Sequence, residues 1–342
     1  MQRTTARIDT AFRATPRLID REVSIVDRRQ VNAALERAAL VAGLLAEPAT
    51  IAPKYFYDAV GCELFCKICN QAEYYPTRTE AAIFDRERRS IAAAIGTGKQ
   101  LVDLGAGDCA KAAAWLRWLR PPVYVAVDIA ADALDHALPA IARENPDLEV
   151  RGVLTDFTRG LDIASDIDDG PTTFFYPGSS IGNFSQSAAL EFLREINRHC
   201  SLDAGSGLLI GVDTKKAPGR LRAAYDDAAG VTAAFNRNIL QNVNSILGTH
   251  FRPDRFAHVA LYNETASRIE MYLEAIEAQP VTIDGTERIF CPGERIHTEH
   301  SYKYSPAEFT GVLERAGFSG ICLWQDAAGD FAVYYASNAA TG

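Results

Sequence analysis

Short apolar runs alternate with amphipathic segments between residues 100 and 212, and this pattern predicts the core of the protein. Regular alternation of strands and helices is typical of a parallel sheet with helices on both faces. The chain is therefore predicted to have an α/β fold with a Rossmann-like core. The predicted strands are 100–104, 123–128, 149–154, 172–176 and 207–212, and the predicted helices are about 109–119, 131–144 and 186–200.

The flanking segments have other patterns. Residues 22–48, 79–95 and 215–247 have the spacing of apolar positions that helices show, whereas residues 256–301 resemble antiparallel strands with loops. The end of the chain resumes the α/β pattern. It is predicted to contain a helix at 305–316 and strands at 318–325 and 330–337.

These patterns divide the chain into a core and an insertion. We predict a Rossmann-like core of residues 80–213 and 302–342. Residues 20–79 and 214–301 are predicted to form a second α+β domain, a substrate-binding lid over the carboxyl ends of the core strands. The arginine-rich residues 1–19 are predicted to be an N-terminal tail.

Composition narrows the class of ligand. The chain has 342 residues, of which 48% are hydrophobic, so it can bury a substantial core. A formal net charge of -9 provides no general attraction for nucleic acid or for an anionic membrane surface. Apolar runs stay well below the roughly 20 residues of a membrane span. We expect a monomer that binds a small molecule, without nucleic-acid or membrane partners.

Seven cysteines, an odd number, indicate a reducing compartment such as the cytoplasm. Cys62, Cys66 and Cys69 have the C-x3-C-x2-C spacing with which radical enzymes hold an iron-sulfur cluster. The same positions are i, i+4 and i+7 of an amphipathic helix, where buried free cysteines are the simpler interpretation. We therefore expect no metal.

The segment LVDLGAGDCAK (101–111) is a strand, a glycine turn and the start of a helix. Gly105 begins a match to the G-x-G-x-x-G/A fingerprint of dinucleotide sites, but enzymes that use S-adenosylmethionine share this arrangement. Asp128 ends the next strand and is placed to bind ribose hydroxyls. Asp156 and Phe157 could bond and stack on an adenine. The turn alone leaves NAD and S-adenosylmethionine open.

A second polar turn, FFYPGSSIGNF (174–184), follows another strand. Gly178 and Ser180 allow a ligand to approach closely, and the Asn183 amide can donate and accept hydrogen bonds at once, as an amino-acid zwitterion requires. None of the six histidines follows a core strand, so an acid-base group for hydride transfer is not evident. This weakens the alternatives of an NAD-dependent oxidoreductase and of a non-catalytic nucleotide-binding protein without excluding them.

Eight ordered segments resemble the histidine-specific Nα-methyltransferase family of ergothioneine biosynthesis. The resemblance covers about residue 50 to the C-terminus, and the segments are YFYDAVG, EYYPTRTE, LGAGDCAK, YPGSSIGNF, AYDDAAGVTAAFNRN, RIEMYL, HTEHSYKY and WQDAAGDF. It implies S-adenosylmethionine as cosubstrate and conversion of L-histidine to its trimethylbetaine, hercynine. Related enzymes act on tryptophan derivatives or tyrosine, so another amine is the nearest alternative.

The resemblance also implies a set of site residues. The implied donor site comprises Gly105, Lys111, Asp128, Asp156, Phe157 and, less securely, Ser180. The implied substrate site comprises Tyr57, Tyr75, Gly178, Asn183, Tyr225, Glu299 and Ser301, with Asn183 and Tyr225 positioning the substrate amine and carboxylate. A dedicated general base is not evident.

Specificity is expected to come from T-E-H-S-Y-K-Y (298–304). Strand alternation places Glu299 and Ser301 on one face and His300 on the other. A carboxylate and a hydroxyl can bond the two imidazole nitrogens, the carboxylate as acceptor and the hydroxyl as donor or acceptor. Such a pocket should reject apolar side chains, because its polar groups would then lack partners.

Overall fold

The structure is a computed structural model that describes residues 17–20, 23–29 and 33–338. Fifteen strands form within these residues: β1 (Arg17–Asp20), β2 (Val23–Asp27), β3 (Ala49–Thr50), β4 (Gln100–Leu104), β5 (Val123–Asp128), β6 (Glu149–Leu154), β7 (Thr172–Tyr176), β8 (Gly207–Asp213), β9 (Phe256–Asn263), β10 (Arg268–Ala275), β11 (Gln279–Ile283), β12 (Thr286–Phe290), β13 (Arg295–Tyr302), β14 (Gly320–Gln325) and β15 (Phe331–Ser337).

Nine α-helices form in the same part of the chain. They are α1 (Ala33–Leu45), α2 (Ala59–Cys69), α3 (Tyr75–Ile95), α4 (Ala110–Leu119), α5 (Ala131–Glu144), α6 (Gln186–Cys200), α7 (Pro218–Tyr225), α8 (Val231–Leu247) and α9 (Pro306–Ala316). Among the described helices, none combines the length and the apolar character that crossing a membrane requires.

The larger sheet confirms the predicted α/β core. Its nine strands have the order β1-β2-β6-β5-β4-β7-β8-β15-β14. The six strands from β2 to β8 in this order are parallel, whereas β1, β15 and β14 are antiparallel to their neighbours. The chain moves outward from β4 to β5 and β6, and then returns to β7 on the other side of β4. The carboxyl ends of β4 and β7 therefore flank a topological switch point, where open α/β sheets bind ligands.

Apolar side chains cover both faces of this sheet. On one face, Ile83 of α3, Trp115 of α4 and Leu138 of α5 are buried against the strands. On the other face, Leu193 of α6 and Leu313 of α9 occupy the equivalent position. This two-sided burial explains why the core strands read as continuous apolar runs rather than as alternating ones.

The predicted helix over residues 22–48 is wrong in its first part. Val23–Asp27 forms β2, which pairs in parallel with β6, and the helix begins only at Ala33. The segment VSIVD alternates, with Val23 and Ile25 buried, and Gly152 in β6 leaves the space that Ile25 fills. Most of the predicted tail, residues 1–16, lies outside the described residues, and Arg17–Asp20 is a strand.

The smaller sheet contains the predicted antiparallel insertion. Its strand order is β3-β13-β10-β9, with β10 antiparallel to both neighbours, and β11 and β12 form a separate hairpin. The predicted helical stretch 215–247 consists of two helices, α7 and α8, separated by a turn at Gly230 (φ 68°). The buried side chains of α8 pack on this sheet and on α2.

Strand β13 connects the two sheets. Beyond its last residue, Tyr304 forms a parallel bridge with Thr214, and its backbone N–H donates to the Asp213 carbonyl at 3.3 Å. The carboxyl end of β13 therefore meets the carboxyl end of β8. This junction brings the residues near 299–303 to the ligand-binding edge of the larger sheet.

Candidate active site

The glycine turn after β4 is held by the end of β5. Gly105 and Gly107 have φ angles of 72° and 53°, a region that favours glycine. The Asp128 carboxylate accepts one hydrogen bond from the Gly107 N–H and another from the Ala130 N–H, each at 2.8 Å. Asp128 therefore fixes the turn and lies at the carboxyl end of its strand, as the sequence predicts.

Phe157 lies opposite this turn. A Cβ atom added to Gly105 would be 3.7 Å from the Phe157 ring, which is ordinary van der Waals contact, so the turn and the ring lie side by side. The ring stacks on Phe192 with a centroid distance of 5.7 Å, which holds its orientation. Asp156 precedes Phe157, and its carboxylate lies 3.1 Å from the Lys54 ammonium. The predicted donor residues Gly105, Asp128, Asp156 and Phe157 thus surround one edge of the sheet.

Lys111 reaches the second polar turn through a residue that the sequence interpretation missed. The carboxylate of Glu80 accepts from Lys111 Nζ at 2.6 Å and from the Gly178 N–H at 2.7 Å. Glu80 is 1% exposed, and Gly211 has no side chain to collide with it: a Cβ there would lie 2.0 Å from Glu80 Oε1. An acidic residue on the buried face of α3 was the available signal, since buried carboxylates need partners.

A pocket lies between this turn, the smaller sheet and α2. Its wall contains Tyr57, Phe65, Ile68, Tyr74, Gly178, Ser179, Ser180, Asn183, Ala224, Tyr225, Thr232, Phe235, Met271, Glu299 and Ser301. Every predicted substrate residue except Tyr75 is in this set, and so is Ser180. The structure therefore brings together residues that are up to 244 positions apart in the chain, from Tyr57 to Ser301.

Tyr74, rather than Tyr75, faces the pocket. Tyr75 is 1% exposed, and its hydroxyl donates to both oxygens of Asp213, at 2.8 and 2.9 Å. The Tyr74 ring packs edge-on against the ring of Tyr225. Two adjacent tyrosines before Pro76 gave the sequence no basis for choosing between them, since the choice depends on where α3 begins.

A charged network lies behind the pocket, in contact with the wall residues Tyr225 and Ser301. Lys303 Nζ lies 2.7 Å from Asp213 Oδ2, and Lys216 Nζ lies 2.5 Å from Asp213 Oδ1. Burial alone would raise the pKa of Asp213, but the two ammonium groups bring it below its usual value. Burial likewise opposes the charge of Lys303, but Asp213 and Tyr225 raise the pKa of that ammonium above its ordinary range. Both groups are therefore ionised.

Tyr225 and Ser301 are attached to this network. Lys303 Nζ donates to Tyr225 Oη and to Ser301 Oγ, each at 2.9 Å, and Tyr225 Oη donates to Ser301 Oγ at 2.9 Å. Burial raises the pKa of the Tyr225 hydroxyl, although Lys303 opposes the shift. The hydroxyl therefore stays protonated, which agrees with a positioning role and not with that of a general base.

Glu299 is a buried carboxyl group of a different kind. Burial raises its pKa to about 7, and the nearby Lys303 ammonium only partly opposes this shift. It lies at the pocket wall, 8% exposed. A carboxyl group that titrates near neutrality inside a pocket is a candidate for ligand recognition.

A bulge at Thr298 sets the faces of β13. Met271 pairs with Glu299 and Tyr272 with His297, so Thr298 is left out of the register with β10; its hydroxyl donates to Asn236 Oδ1 at 2.7 Å and to the Met271 carbonyl at 3.1 Å. The predicted alternation holds beyond the bulge, with Glu299 and Ser301 at the pocket. His300 lies on the opposite face, where its ring stacks on that of His297 with a centroid distance of 5.7 Å. The bulge brings these histidines, three positions apart, to one face.

The three clustered cysteines lie on α2, as the helical interpretation predicts. Their burial differs from the expectation: Cys66 is exposed, and Cys62 and Cys69 are half-buried. Burial and the nearby carboxylate of Asp128 raise the pKa of the Cys62 thiol to about 11. All three are therefore free thiols on a helix that supplies part of the pocket wall.

The strand order, with its antiparallel β15 inserted next to β8, and the glycine turn facing Asp128 and Phe157 define a class I S-adenosylmethionine-dependent methyltransferase. The chain belongs to the histidine-specific, S-adenosylmethionine-dependent methyltransferase family, whose profile matches residues 36–338. The family resemblance, the fold class and the prediction of an S-adenosylmethionine-dependent methyltransferase are thereby confirmed.

Curated relatives cover most of the chain. It is 42% identical to histidine N-alpha-methyltransferase of Mycolicibacterium smegmatis, over 85% of this chain and 91% of that protein. It is 38% identical to histidine N-alpha-methyltransferase of Mycobacterium tuberculosis, over 88% and 94%. Ergothioneine biosynthesis protein 1 of Neurospora crassa is 28% identical over 78% of this chain and 31% of its own length.

Proposed function

We propose that this protein is an L-histidine Nα-methyltransferase, which uses S-adenosylmethionine to form hercynine in ergothioneine biosynthesis. The observation that carries the proposal is the placement of Glu299 and Ser301, a carboxyl group and a hydroxyl, in an aromatic pocket that the polar turn after β7 also lines. The pair matches the two nitrogens of an imidazole. The high similarity to two mycobacterial histidine N-alpha-methyltransferases supports the same substrate.

The residues near the glycine turn fit the methyl donor. The Phe157 ring beside the turn offers an aromatic face on which an adenine can stack, and the Asp128 carboxylate lies at the strand end, where it can accept from ribose hydroxyls. When bound, the donor supplies an electrophilic methyl group on a sulfonium. We assign donor binding to Gly105, Lys111, Asp128, Asp156 and Phe157, with Lys111 anchored by its contact with Glu80.

The acceptor residues position an amino acid. Asn183 carries an amide that can donate to a carboxylate, and Tyr225 Oη keeps a lone pair for an N–H of the substrate amine. We also assign substrate contacts to Tyr57, Tyr74 and Gly178, with Ser180 between the two sites. Tyr75 lies behind the pocket wall and acts through its hydrogen bonds to Asp213. These residues hold the amine in place, and positioning of this kind accounts for much of the rate of a bimolecular transfer.

The direct test is incubation of the purified protein with L-histidine and S-adenosylmethionine, followed by mass spectrometry. We expect histidine species that gain one, two and three methyl groups, with the trimethylated form accumulating. Tryptophan and tyrosine in parallel reactions test the nearest alternative substrates. Methylation of either, with histidine left unchanged, would reject the histidine assignment but keep the reaction class.

Further expectations remain predictions of this proposal: a substrate-binding domain of residues 20–79 and 214–301, a monomer, a cytoplasmic location and no requirement for a metal. The donor assignment can be checked by thermal unfolding. S-adenosylhomocysteine should raise the melting temperature and NAD should not. The metal prediction requires unchanged turnover after treatment with a chelator.

A further inference from the structure

Ser301 has its hydrogen-bonding role fixed by the groups behind it. Its Oγ accepts from Lys303 Nζ and from Tyr225 Oη, each at 2.9 Å. A serine hydroxyl has two lone pairs and one hydrogen, so these two bonds use its acceptor capacity. Only its own hydrogen is left to offer to a ligand in the pocket.

Lys303 determines the direction of these bonds. An ammonium has three hydrogens and no lone pair, and its three partners are Asp213 at 2.7 Å, Tyr225 at 2.9 Å and Ser301 at 2.9 Å. Because Tyr225 accepts from Lys303, its own hydrogen is directed to Ser301. The side chain of Lys303 is fully buried, so water does not compete for these bonds.

We propose that Lys303 is a positioning residue that makes Ser301 an obligate donor, so that the pocket binds the imidazole ring of its substrate in the neutral form. This inference rests on the proposed histidine substrate. The unprotonated ring nitrogen accepts from Ser301, and the ring N–H donates to the Glu299 carboxylate. In a protonated ring both nitrogens carry a hydrogen, so one N–H would point at the hydrogen of Ser301. Ser301 Oγ has no lone pair left to accept that N–H.

The other ionisable groups next to these hydrogen bonds do not discriminate between the neutral and the protonated imidazole ring. Asp213 and Lys216 are paired with each other, and Tyr75 donates to Asp213. Glu299 titrates in the same pH range as an imidazole, since burial raises its pKa to about 7. Any test must therefore separate protonation of Glu299 from protonation of the ligand.

The experiment compares two ligands that differ in ring basicity. Dissociation constants of L-histidine and of triazolylalanine, whose triazole ring stays neutral in this range, are measured by calorimetry at pH 7.5 and 5.5 with S-adenosylhomocysteine bound. Protonation of Glu299 affects the binding of both ligands, so the ratio of their dissociation constants reports only on protonation of the ligand ring. For the unmodified protein, the ratio of the histidine dissociation constant to that of triazolylalanine should rise about tenfold from pH 7.5 to pH 5.5. This rise equals the loss of neutral imidazole for a ring with a pKa of about 6.5.

In Lys303→Met the ratio should change less than threefold, because Ser301 can then turn to accept an N–H. Histidine should also bind roughly tenfold more weakly at pH 7.5, since bonds from a charged donor are lost. The matched control is Lys215→Met, in which the lysine bonded to Glu308 at the surface is replaced and the ratio should rise as before. A tenfold rise in Lys303→Met, or a flat ratio in the unmodified protein, overturns the inference.

Binding of S-adenosylhomocysteine shows whether Lys303→Met is folded. Should it not fold, Ser301→Ala replaces it: loss of the donor must flatten the ratio, and a preserved tenfold rise overturns the inference. Turnover of histidine by the unmodified protein is scored separately. Methylated product with a flat ratio rejects only the role of Lys303, whereas a tenfold rise without product rejects only the proposed activity.

Discussion

Two buried carboxyl groups, one behind the pocket and one in its wall, have opposite surroundings. Behind the pocket, Asp213 is held by Lys303, Lys216 and Tyr75, and its pKa lies below the usual value. At the wall, the charge of Lys303 offsets only part of the effect of burial on Glu299, and the pKa of Glu299 rises to about 7. The Asp213 carboxylate has its partners within the protein, whereas the Glu299 carboxyl group lies in the pocket wall, where a ligand can reach it.

This difference separates a structural ion pair from a recognition group. A buried charge is tolerated when it is paired and hydrogen-bonded, so Asp213 holds the network in one arrangement. Glu299 without such partners costs stability when it ionises, and a ligand that donates to it recovers that cost. Three measurements test this contrast and a fourth probes the donor site, and they are ordered here from the largest expected effect to the smallest.

Asp213→Asn should lower the free energy of unfolding by about 3–5 kcal/mol, because two buried ammonium groups lose their countercharge. Urea denaturation at pH 7.5 measures the change. Glu308→Gln is the matched control: it removes the partner of the half-exposed Lys215 and should cost less than about 1 kcal/mol. Equal losses in the two variants would contradict the distinction between a buried network and a surface pair.

Glu299→Ala should lower kcat/KM for histidine roughly 10- to 150-fold, equivalent to about 1.5–3 kcal/mol for a bond to a charged group. Binding of S-adenosylhomocysteine, measured by calorimetry, should change less than twofold, because Glu299 lies at the acceptor wall. A comparable loss for both ligands would show that the residue supports the whole site and not the histidine ring.

Glu299→Gln should stabilise the ligand-free protein at pH 8 and have little effect at pH 5. The folded-state pKa of Glu299 lies above its unfolded value, so the folded state holds the proton more tightly and loses stability as pH rises toward 7. We expect a gain of about 1 kcal/mol or more at pH 8, given about 1.4 kcal/mol for each pKa unit. The same difference at both pH values would refute this.

Phe157→Leu probes the donor side, outside both regions. Loss of the aromatic face should weaken S-adenosylhomocysteine binding about 2- to 10-fold, corresponding to roughly 0.5–1.5 kcal/mol for stacking. The KM of histidine should stay within twofold. A larger effect on histidine than on S-adenosylhomocysteine would show that the Phe157 ring belongs to the substrate site and not to the donor site.

Local patterns predicted the core well, because β4, β5, β7 and β8 are buried along almost their whole length and each leads into a turn. Asp128 was recognisable in this way, as were the turns at Gly105 and Gly178. The strand Val23–Asp27 was missed, because its alternation spans only five residues beside a long helical pattern.

The deeper part of the site could not be read from the sequence. Asp213 directly follows the predicted strand 207–212, but its pairing with Lys303 spans 90 positions and depends on the contact between the ends of β8 and β13. Glu80 likewise becomes a link between Lys111 and Gly178 only when α3 packs beside the sheet. The sequence allowed Ser301 to donate or accept, and only the surrounding bonds restrict it.

The continuity of β13 with the junction at Tyr304 has a practical consequence for altering the substrate range. Glu299 and Ser301 stand on a strand that is hydrogen-bonded to β10 and β3 and is then tied to β8. Loop exchange, the usual way of re-engineering Rossmann-like enzymes, does not reach these positions. A laboratory that seeks a catalyst for another amine has to redesign one face of a strand while preserving its ladder, its bulge and its anchoring lysine.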